Sequence, residues 1–190
     1  MADGGPTADA GAAAEAGARP DAGAPPGDTW FKANLDEVQG FEHPQAGVAY
    51  LFGETRPFGR YEDLGINIRV LEPGQPASLY HDEPAEEFFI VLGGECLAIV
   101  EDQEVPLRTW DFLHTPPRVP HVVIGAGDGP ATVLMVGGRR ADGPPHYPVS
   151  ELAASYGASV KTETNSGREA WQQAGWELRM QPTSLPWPPR

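Results

Sequence analysis

Four side chains that can bind a metal lie on either side of one apolar segment. The stretch GQPASLYHDEPAEEFFIVLGG, residues 74–94, contains His81, Glu83 and Glu87, and His121 follows a later proline-rich turn. Two imidazoles and one carboxylate are the ligand set typical of non-haem Fe(II) sites, and Glu83 would make the set two and two. This chemistry fits Fe(II), Mn(II) or Zn(II), and the ligand types do not choose among these metals.

Strand parity predicts that these side chains share one face. Residues two apart project from the same side of a β-strand, so His81 and Glu83 point together, and Glu87 has the same parity. If Glu87 points inward, Phe89 and Val91 also point inward. The alternate residues then face another sheet or a second subunit: Phe88, Ile90 and Leu92. The inner face would hold an imidazole and carboxylates above an apolar floor, where a carboxylate is costly unless it is paired or metal-bound.

Each candidate residue has a second interpretation. The two histidines could be core residues that hydrogen-bond to carboxylates without a metal. Prolines 116, 117 and 120 stiffen the turn before His121 and would fix the direction of its side chain. Glu83 remains open between a metal ligand, a general base and a solvated surface acid.

Short apolar segments separated by turn residues predict the elements that position these side chains. The predicted strands cover residues 48–52, 66–71, 88–92, 96–100, 105–107, 112–114, 121–124 and 132–136. Many short strands with turn chemistry between them predict an all-β barrel or sandwich. We expect one helical turn within residues 34–41. Two short helices should follow the barrel, one over residues 151–156 after a Ser150 cap and one after a capping box that starts at Ser166.

The composition divides the 190 residues into one domain with extensions. Residues 1–28 are almost entirely Ala, Gly, Asp and Pro, which cannot bury enough apolar surface to offset the entropy of ordering, so this tail is predicted to be disordered. Residues 29–140 should form the β-barrel. Residues 141–190 should form an extension of short helices and a Pro/Trp strap, with Trp176 and Trp187 docked on the barrel or on a partner subunit.

Charge and hydropathy exclude several functions. The formal net charge of −14 argues against a nucleic-acid partner, because the chain has no basic stripe to displace counterions. The sequence has neither an apolar run of membrane-spanning length nor the pattern of a signal peptide. Cys96 is the single cysteine, which suits a reducing compartment. We therefore expect a soluble cytoplasmic protein without a membrane or nucleic-acid partner.

The central region resembles the cupin superfamily. The first cupin motif is similar to Gly, five residues, His, one residue, His, three or four residues, Glu, six residues, Gly. Here Gly74 is followed by six residues and then His81, and Glu83 stands where the second histidine is expected. Glu87 and Gly94 complete the motif.

The second cupin motif is also present in modified form. Pro116 and His121 match it, whereas Trp110 and Arg118 replace its glycines and Gly125 replaces its asparagine. The segment between the two motifs has the usual cupin length, and the resemblance covers about residues 66–137.

The resemblance implies a cupin-type double-stranded β-helix, or jelly-roll barrel, of six to eight strands. It implies a divalent metal at His81, Glu87 and His121, and it implies a homodimer. Cupins include dioxygenases, sugar isomerases, decarboxylases and non-catalytic binding or storage proteins, so the fold alone does not give the function. We expect a metal-binding protein that acts on a small organic molecule, with Glu83 as a candidate catalytic proton shuttle. The alternative is a non-catalytic module that binds or senses a small ligand or metal.

Overall fold

The computed structural model of the chain describes residues 32–52 and 61–183. The tail at residues 1–28, which is predicted to be disordered, lies outside the described residues, and so does Trp187. The described strands are β1 Gly40–His43, β2 Gly47–Phe52, β3 Leu64–Leu71, β4 Glu87–Gly93, β5 Glu95–Val100, β6 Gln103–Arg108, β7 Phe112–Thr115, β8 His121–Ala126, β9 Ala131–Gly138 and β10 Gln181–Pro182. The helices are α1 Glu151–Ser155 and α2 Gly167–Ala174, and a 3-10 turn covers Leu35–Glu37.

The strands form two antiparallel sheets. One sheet has seven strands in the order β10-β1-β2-β3-β9-β4-β7, and the other has three in the order β6-β5-β8. Apolar side chains from both sheets meet in one core, for example Phe89 and Val91 of β4 with Cys96 of β5 and Val123 of β8. The predicted all-β fold is therefore confirmed. The closed barrel is not, because the hydrogen-bonded ladders of the described strands do not join the two sheets into a ring.

The inner face of β4 follows the predicted parity. Phe89 and Val91 are buried, with exposed fractions of 4% and 0%, whereas Phe88 and its alternate neighbours are only partly buried on the other face. Glu87, the first residue of β4, shares the inward face and lines a cavity. Alternation along this strand therefore places the carboxylate above an apolar floor.

Two of the described strands, β1 and β10, were not predicted from the sequence. The predicted helical turn shrinks to the 3-10 turn capped by Asn34, and the chain then enters β1, which pairs with β2 through a tight turn. Gly47 begins β2 with φ +70, and a Cβ there would lie 2.3 Å from the carbonyl oxygen of Val70, so only glycine fits. β10 adds only Gln181 and Pro182 at the outer edge of the sheet, where a proline costs no ladder bond.

The C-terminal extension packs onto the sheets. Ser150 caps α1 by accepting a hydrogen bond from the amide of Ala153, and Ser166 caps α2 through the amide of Glu169. Trp176 is 7% exposed and packs beside His43, as predicted for a docked tryptophan. Within the described ranges, no helix is long and apolar enough to cross a membrane.

Candidate metal centre

His81 and His121 lie opposite each other across one antiparallel bridge. The amide of His81 donates to the carbonyl of His121 at 3.1 Å, and the amide of His121 donates back at 2.8 Å. Directly opposed residues project to the same face, so the two rings enter the same space with their centroids 5.3 Å apart. The predicted convergence of two imidazoles from separate segments is therefore present in the structure.

Backbone carbonyls fix the tautomer of both rings. Nδ1 of His81 lies 2.7 Å from the carbonyl oxygen of Leu79, and Nδ1 of His121 lies 2.9 Å from that of Val119. A carbonyl oxygen only accepts, so Nδ1 donates a proton in each ring and Nε2 keeps its lone pair. Metal-binding histidines are commonly oriented by such a bond on the far nitrogen.

Glu87 completes a three-residue cluster. One ligand atom from each of His81, Glu87 and His121 lies within 4.8 Å of the others. Oε2 of Glu87 is 3.0 Å from Nε2 of His121, yet this buried oxygen makes no hydrogen bond of acceptable geometry within the described part of the chain. Three potential ligand atoms thus converge on one point. Atoms bound to one ion at about 2.1 Å lie roughly 3–4 Å apart, so side-chain shifts of about 1 Å would close the site, and the donor set fits a divalent metal.

The pKa values of the two histidines shift in opposite directions. Burial and the neighbouring ring of His121 lower the pKa of His81, so His81 favours the neutral form. Burial also acts to lower the pKa of His121, but the carboxylate of Glu87 outweighs burial and raises it. Burial alone would raise the pKa of Glu87, but the facing rings of His121 and His81 outweigh burial and lower it. As the pH falls, His121 should therefore take up a proton before His81 does.

Glu83 lies beside the cluster. Its Oε1 is 3.6 Å from Nε2 of His81, and its side chain lines the same cavity. It is not one of the three residues whose ligand atoms converge most closely. The structure thus brings all four predicted residues to one cavity and places Glu83 at the edge of the cluster. Its role as a ligand or a base remains a prediction.

The cavity in front of the cluster has a volume of about 210 Å³. Its lining combines apolar groups such as Phe89 and Met135 with the charged groups of the cluster. This volume lies below the usual range for drug-sized ligands, so the cavity suits a small molecule.

Tyr147 is a cavity residue that the sequence analysis missed. It lies in the extension, and its ring stacks on His81 with the centroids 5.5 Å apart and an interplanar angle of 20°. Burial, followed by the charges of Glu83 and Glu87, raises its pKa, so the phenol stays protonated. A backbone bridge to Thr164 holds Tyr147 in place. The one signal in the sequence was an aromatic residue between prolines, in PPHYP, which alone does not indicate a site.

A polar clasp attaches this part of the extension to the segment that carries His81. Asp82 is buried; its Oδ1 accepts from Arg118 at 3.0 Å and its Oδ2 accepts from Nδ1 of His146 at 2.9 Å. The same Arg118 nitrogen donates to the carbonyl of Pro144 at 2.9 Å. Since Asp82 follows His81 and His146 precedes Tyr147, the clasp sets the register between these two stacked rings.

Two antiparallel sheets enclose a two-histidine, one-carboxylate cluster that could hold a metal ion. The family model described as "Cupin domain" matches residues 67–137, and this segment of the chain is therefore a cupin domain. The match includes all four predicted site residues and ends before Tyr147.

Two curated proteins are similar in sequence, and both are named 3-hydroxyanthranilate 3,4-dioxygenase. The protein from Jannaschia sp. (strain CCS1) is 28% identical over 117 residues, which cover 60% of this chain and 59% of that protein. The protein from Ruegeria pomeroyi is 34% identical over 65 residues, which cover 32% of this chain and 36% of that protein. The chain thus spans less than two thirds of the length of either relative.

Solved structures with a similar fold include other cupins. A sugar phosphate isomerase of the cupin superfamily from Silicibacter pomeroyi is 25% identical, with a TM-score of 0.49 over 60% of this chain and 78% of that one. A cupin 2 domain-containing protein from Halorhodospira halophila is 20% identical, with a TM-score of 0.46 over 61% of this chain and 82% of that one.

Proposed function

We propose that this protein is a metal-dependent cupin enzyme that oxygenates a small phenolic molecule in the cavity. The single observation that carries the proposal is the convergence of ligand atoms from His81, Glu87 and His121 within 4.8 Å at the cavity wall. The name of the two curated relatives supports dioxygenase chemistry over the isomerase and decarboxylase chemistries of other cupins.

His81, Glu87 and His121 would hold the metal. A bound divalent ion would act as a Lewis acid toward substrate oxygens and, if it is iron, would provide the redox chemistry of an oxygenase. Two histidines and one carboxylate on one face leave positions open for other ligands, which is the arrangement typical of non-haem Fe(II) oxygenases.

Glu83 is the proposed proton acceptor. It lies on the cavity wall 3.6 Å from Nε2 of His81, close enough to receive the proton of a substrate hydroxyl that approaches the metal. Tyr147 keeps its phenolic proton and can donate a hydrogen bond to a substrate oxygen from the wall behind His81. Phe89 and Met135 supply an apolar surface that excludes water from the reacting end.

The test begins with the full chain purified without chelator. Elemental analysis should find about one divalent ion per chain, and the Fe(II)-loaded protein should consume O₂ when 3-hydroxyanthranilate is added. Bound metal with no O₂ uptake across phenolic substrates would show that the protein is a non-catalytic binding or sensing module and not an oxygenase. Absence of bound metal after reconstitution with Fe(II), Mn(II) or Zn(II) would overturn the metal site itself.

We also propose that the protein is a cytoplasmic homodimer. Phe112 of β7, the edge strand of the large sheet, is 57% exposed, and Trp110 in the turn before this strand is 75% exposed. Phe88 packs against Phe112 from the neighbouring strand. An exposed aromatic row at a sheet edge is a surface that a second copy can cover. The location rests on Cys96, the single cysteine, whose buried thiol has its pKa raised to about 12 and is unreactive.

A further inference from the structure

Part of the cavity wall comes from outside the segment that matches the cupin family model. The match covers residues 67–137 and contains all three residues of the metal cluster. The cavity is also lined by two aromatic residues of the C-terminal extension, Tyr147 and Trp171. The metal-binding groups and these two rings therefore belong to different parts of the chain.

Trp171 lies on α2, a helix that is fixed at both ends. Ser166 caps its start by accepting from a backbone amide of the first turn, and Gly175 ends it in the left-handed region with φ 73. The side chain of Gln173 accepts from the amide of Thr162 at 2.8 Å and donates to the carbonyl of the same residue at 3.0 Å. These bonds hold α2 to the loop before it, so the helix presents Trp171 from a fixed position.

Two buried rings support the indole of Trp171. The rings of His43 and Trp176 pack against it, with centroids 5.0 and 5.8 Å away. Nδ1 of His43 accepts from the amide of Gln45 at 3.2 Å, so Nε2 donates to the carbonyl of Glu177 at 2.9 Å. Both ring nitrogens are committed, and His43 cannot rotate without losing a hydrogen bond. Because protein interiors are close-packed, a bulky ligand cannot push the indole back without cost.

A fixed indole in a small cavity limits the size of the ligand. The cavity has a volume of about 210 Å³, and Trp171 is the largest residue in its lining. A wall that cannot retreat rejects additional carbon atoms by steric overlap, because overpacking forces strained rotamers or backbone shifts. A smaller side chain at this position would enlarge the cavity without touching the metal cluster.

We infer that Trp171 determines the upper size limit of the substrate, so that selectivity resides in the extension and metal binding resides in the cupin domain. The inference rests on the proposed function for the class of ligand, a small phenolic molecule that approaches the metal through its oxygens. Its consequence is that the size selectivity of the protein can change while its metal content stays the same.

The test is equilibrium binding of three catechols to the full chain loaded with Zn²⁺, measured by isothermal titration calorimetry. Catechol is the small probe, and 3-tert-butylcatechol and 4-tert-butylcatechol carry the same added bulk in two directions. Zn²⁺ has no redox chemistry, so binding is measured without turnover. We expect both bulky catechols to bind the wild type at least about 10-fold more weakly than catechol. In Trp171→Ala, at least one of them should bind about as tightly as catechol, with the Zn²⁺ content unchanged.

Gln172→Ala is the matched control, because Gln172 is the next residue on α2 and is exposed, and this variant should keep the selectivity of the wild type. Trp171→Phe keeps an aromatic ring against His43 and Trp176 and should lose part of the selectivity. It replaces Trp171→Ala if that variant folds poorly, as judged by its circular dichroism spectrum.

Three outcomes would overturn the inference. They are wild-type selectivity in the Trp171 variants, loss of Zn²⁺ from a folded Trp171→Ala variant, and a wild-type chain that binds all three catechols equally or binds none. Catechol binding to the Zn²⁺ protein does not require O₂. Selective binding without O₂ uptake by the Fe(II) protein would therefore overturn the proposed oxygenase and support the role of Trp171.

Discussion

Oε2 of Glu87 lies 3.0 Å from Nε2 of His121, in a contact that is close but badly aligned for a hydrogen bond. Nδ1 of His121 is already committed to the carbonyl of Val119, so Nε2 alone is left to take either a proton or a metal. Glu87 raises the pKa of His121, which favours a proton on the atom where a metal would bind. Metal and proton compete for the same lone pair.

Proton release on metal binding should reveal this competition. The pKa of His121 is raised from 6.5 and that of His81 is lowered, so at pH 6.5 His121 is mostly protonated and His81 mostly neutral. We expect more than half a proton released per Mn²⁺ at pH 6.5, with the number falling toward zero as pH rises above the pKa of His121. Calorimetric titration in two buffers of different ionisation enthalpy measures the number. Release that does not change with pH would contradict the assignment of the proton.

The same pKa shifts make the stability of the metal-free protein depend on pH. Because folding raises the pKa of His121, protonation of His121 stabilises the fold. This stabilisation is complete below about pH 6.5 and is lost as the pH rises through the folded-state pKa. Because folding lowers the pKa of Glu87, ionisation of Glu87 stabilises the fold. This stabilisation is complete above about pH 4.5 and is lost as the pH falls through the folded-state pKa. The pair therefore contributes most between roughly pH 4.5 and 6.5. Mn²⁺ should shift the optimum upward, because metal binding strengthens as protons leave, and thermal melting across pH measures this shift.

Removing one ligand should remove the metal. His121→Ala deletes one of the three converging atoms, and we expect metal affinity to fall by more than about 100-fold, beyond the loss seen when residues that merely orient a ligand are changed. His114→Ala is the matched control, because His114 is exposed and contacts Glu86 outside the cavity. Elemental analysis of both variants after dialysis gives the answer. Equal metal content in the two would exclude His121 from the site.

The sequence predicted the strands around the cluster well because period-2 alternation and turn residues are local signals. Phe89 and Val91 were placed inward from parity alone, and the structure buries both. The barrel closure was not predictable in the same way. Whether the two sheets join depends on ladder contacts between distant segments, and these reduce to isolated bridges such as the one between Pro76 and Ile124.

Glu83 shows where the sequence could not separate two roles. Glu83→Gln keeps the size of the side chain and removes its basicity, so we expect metal content to stay unchanged and turnover of 3-hydroxyanthranilate to fall by about 10²- to 10⁴-fold. Glu86→Gln provides the control, since Glu86 is exposed and contacts His114. Loss of metal in Glu83→Gln would instead make Glu83 a fourth ligand.

Tyr147 could not be predicted, because its place depends on a tertiary contact. The bridge between Asp82 and His146 joins residues that are 64 apart in sequence, and it brings the extension against His81. Nothing in the composition of the extension signals this pairing. The polar residues that form it, an aspartate, an arginine and a histidine, are each common on solvated surfaces.

The edge of the large sheet should carry the dimer contact. Phe112→Glu places a charge on the exposed aromatic row of β7, and we expect the homodimer to dissociate into monomers that keep their metal. Val149→Glu is the control, because Val149 is 52% exposed in the extension outside the strands. Analytical ultracentrifugation of both variants distinguishes the outcomes. A Phe112→Glu variant that stays dimeric, or a wild-type chain that is monomeric, would remove this surface from the interface.

The clasp should couple the extension to the metal centre. Asp82→Ala leaves Arg118 and His146 without their shared acceptor, and we expect a loss of about 1–2 kcal/mol in unfolding free energy, because the Arg118 side chain is 46% exposed and solvent screens part of its contribution. Loosening this contact should also release Tyr147 from its stack on His81, so its amide should exchange with solvent faster than in the wild type. Glu163→Gln removes only a 3.9 Å contact of an exposed acid with His146 and should change neither quantity. Hydrogen exchange at Tyr147 that matches the wild type in Asp82→Ala would show that the Thr164 bridge holds the ring alone.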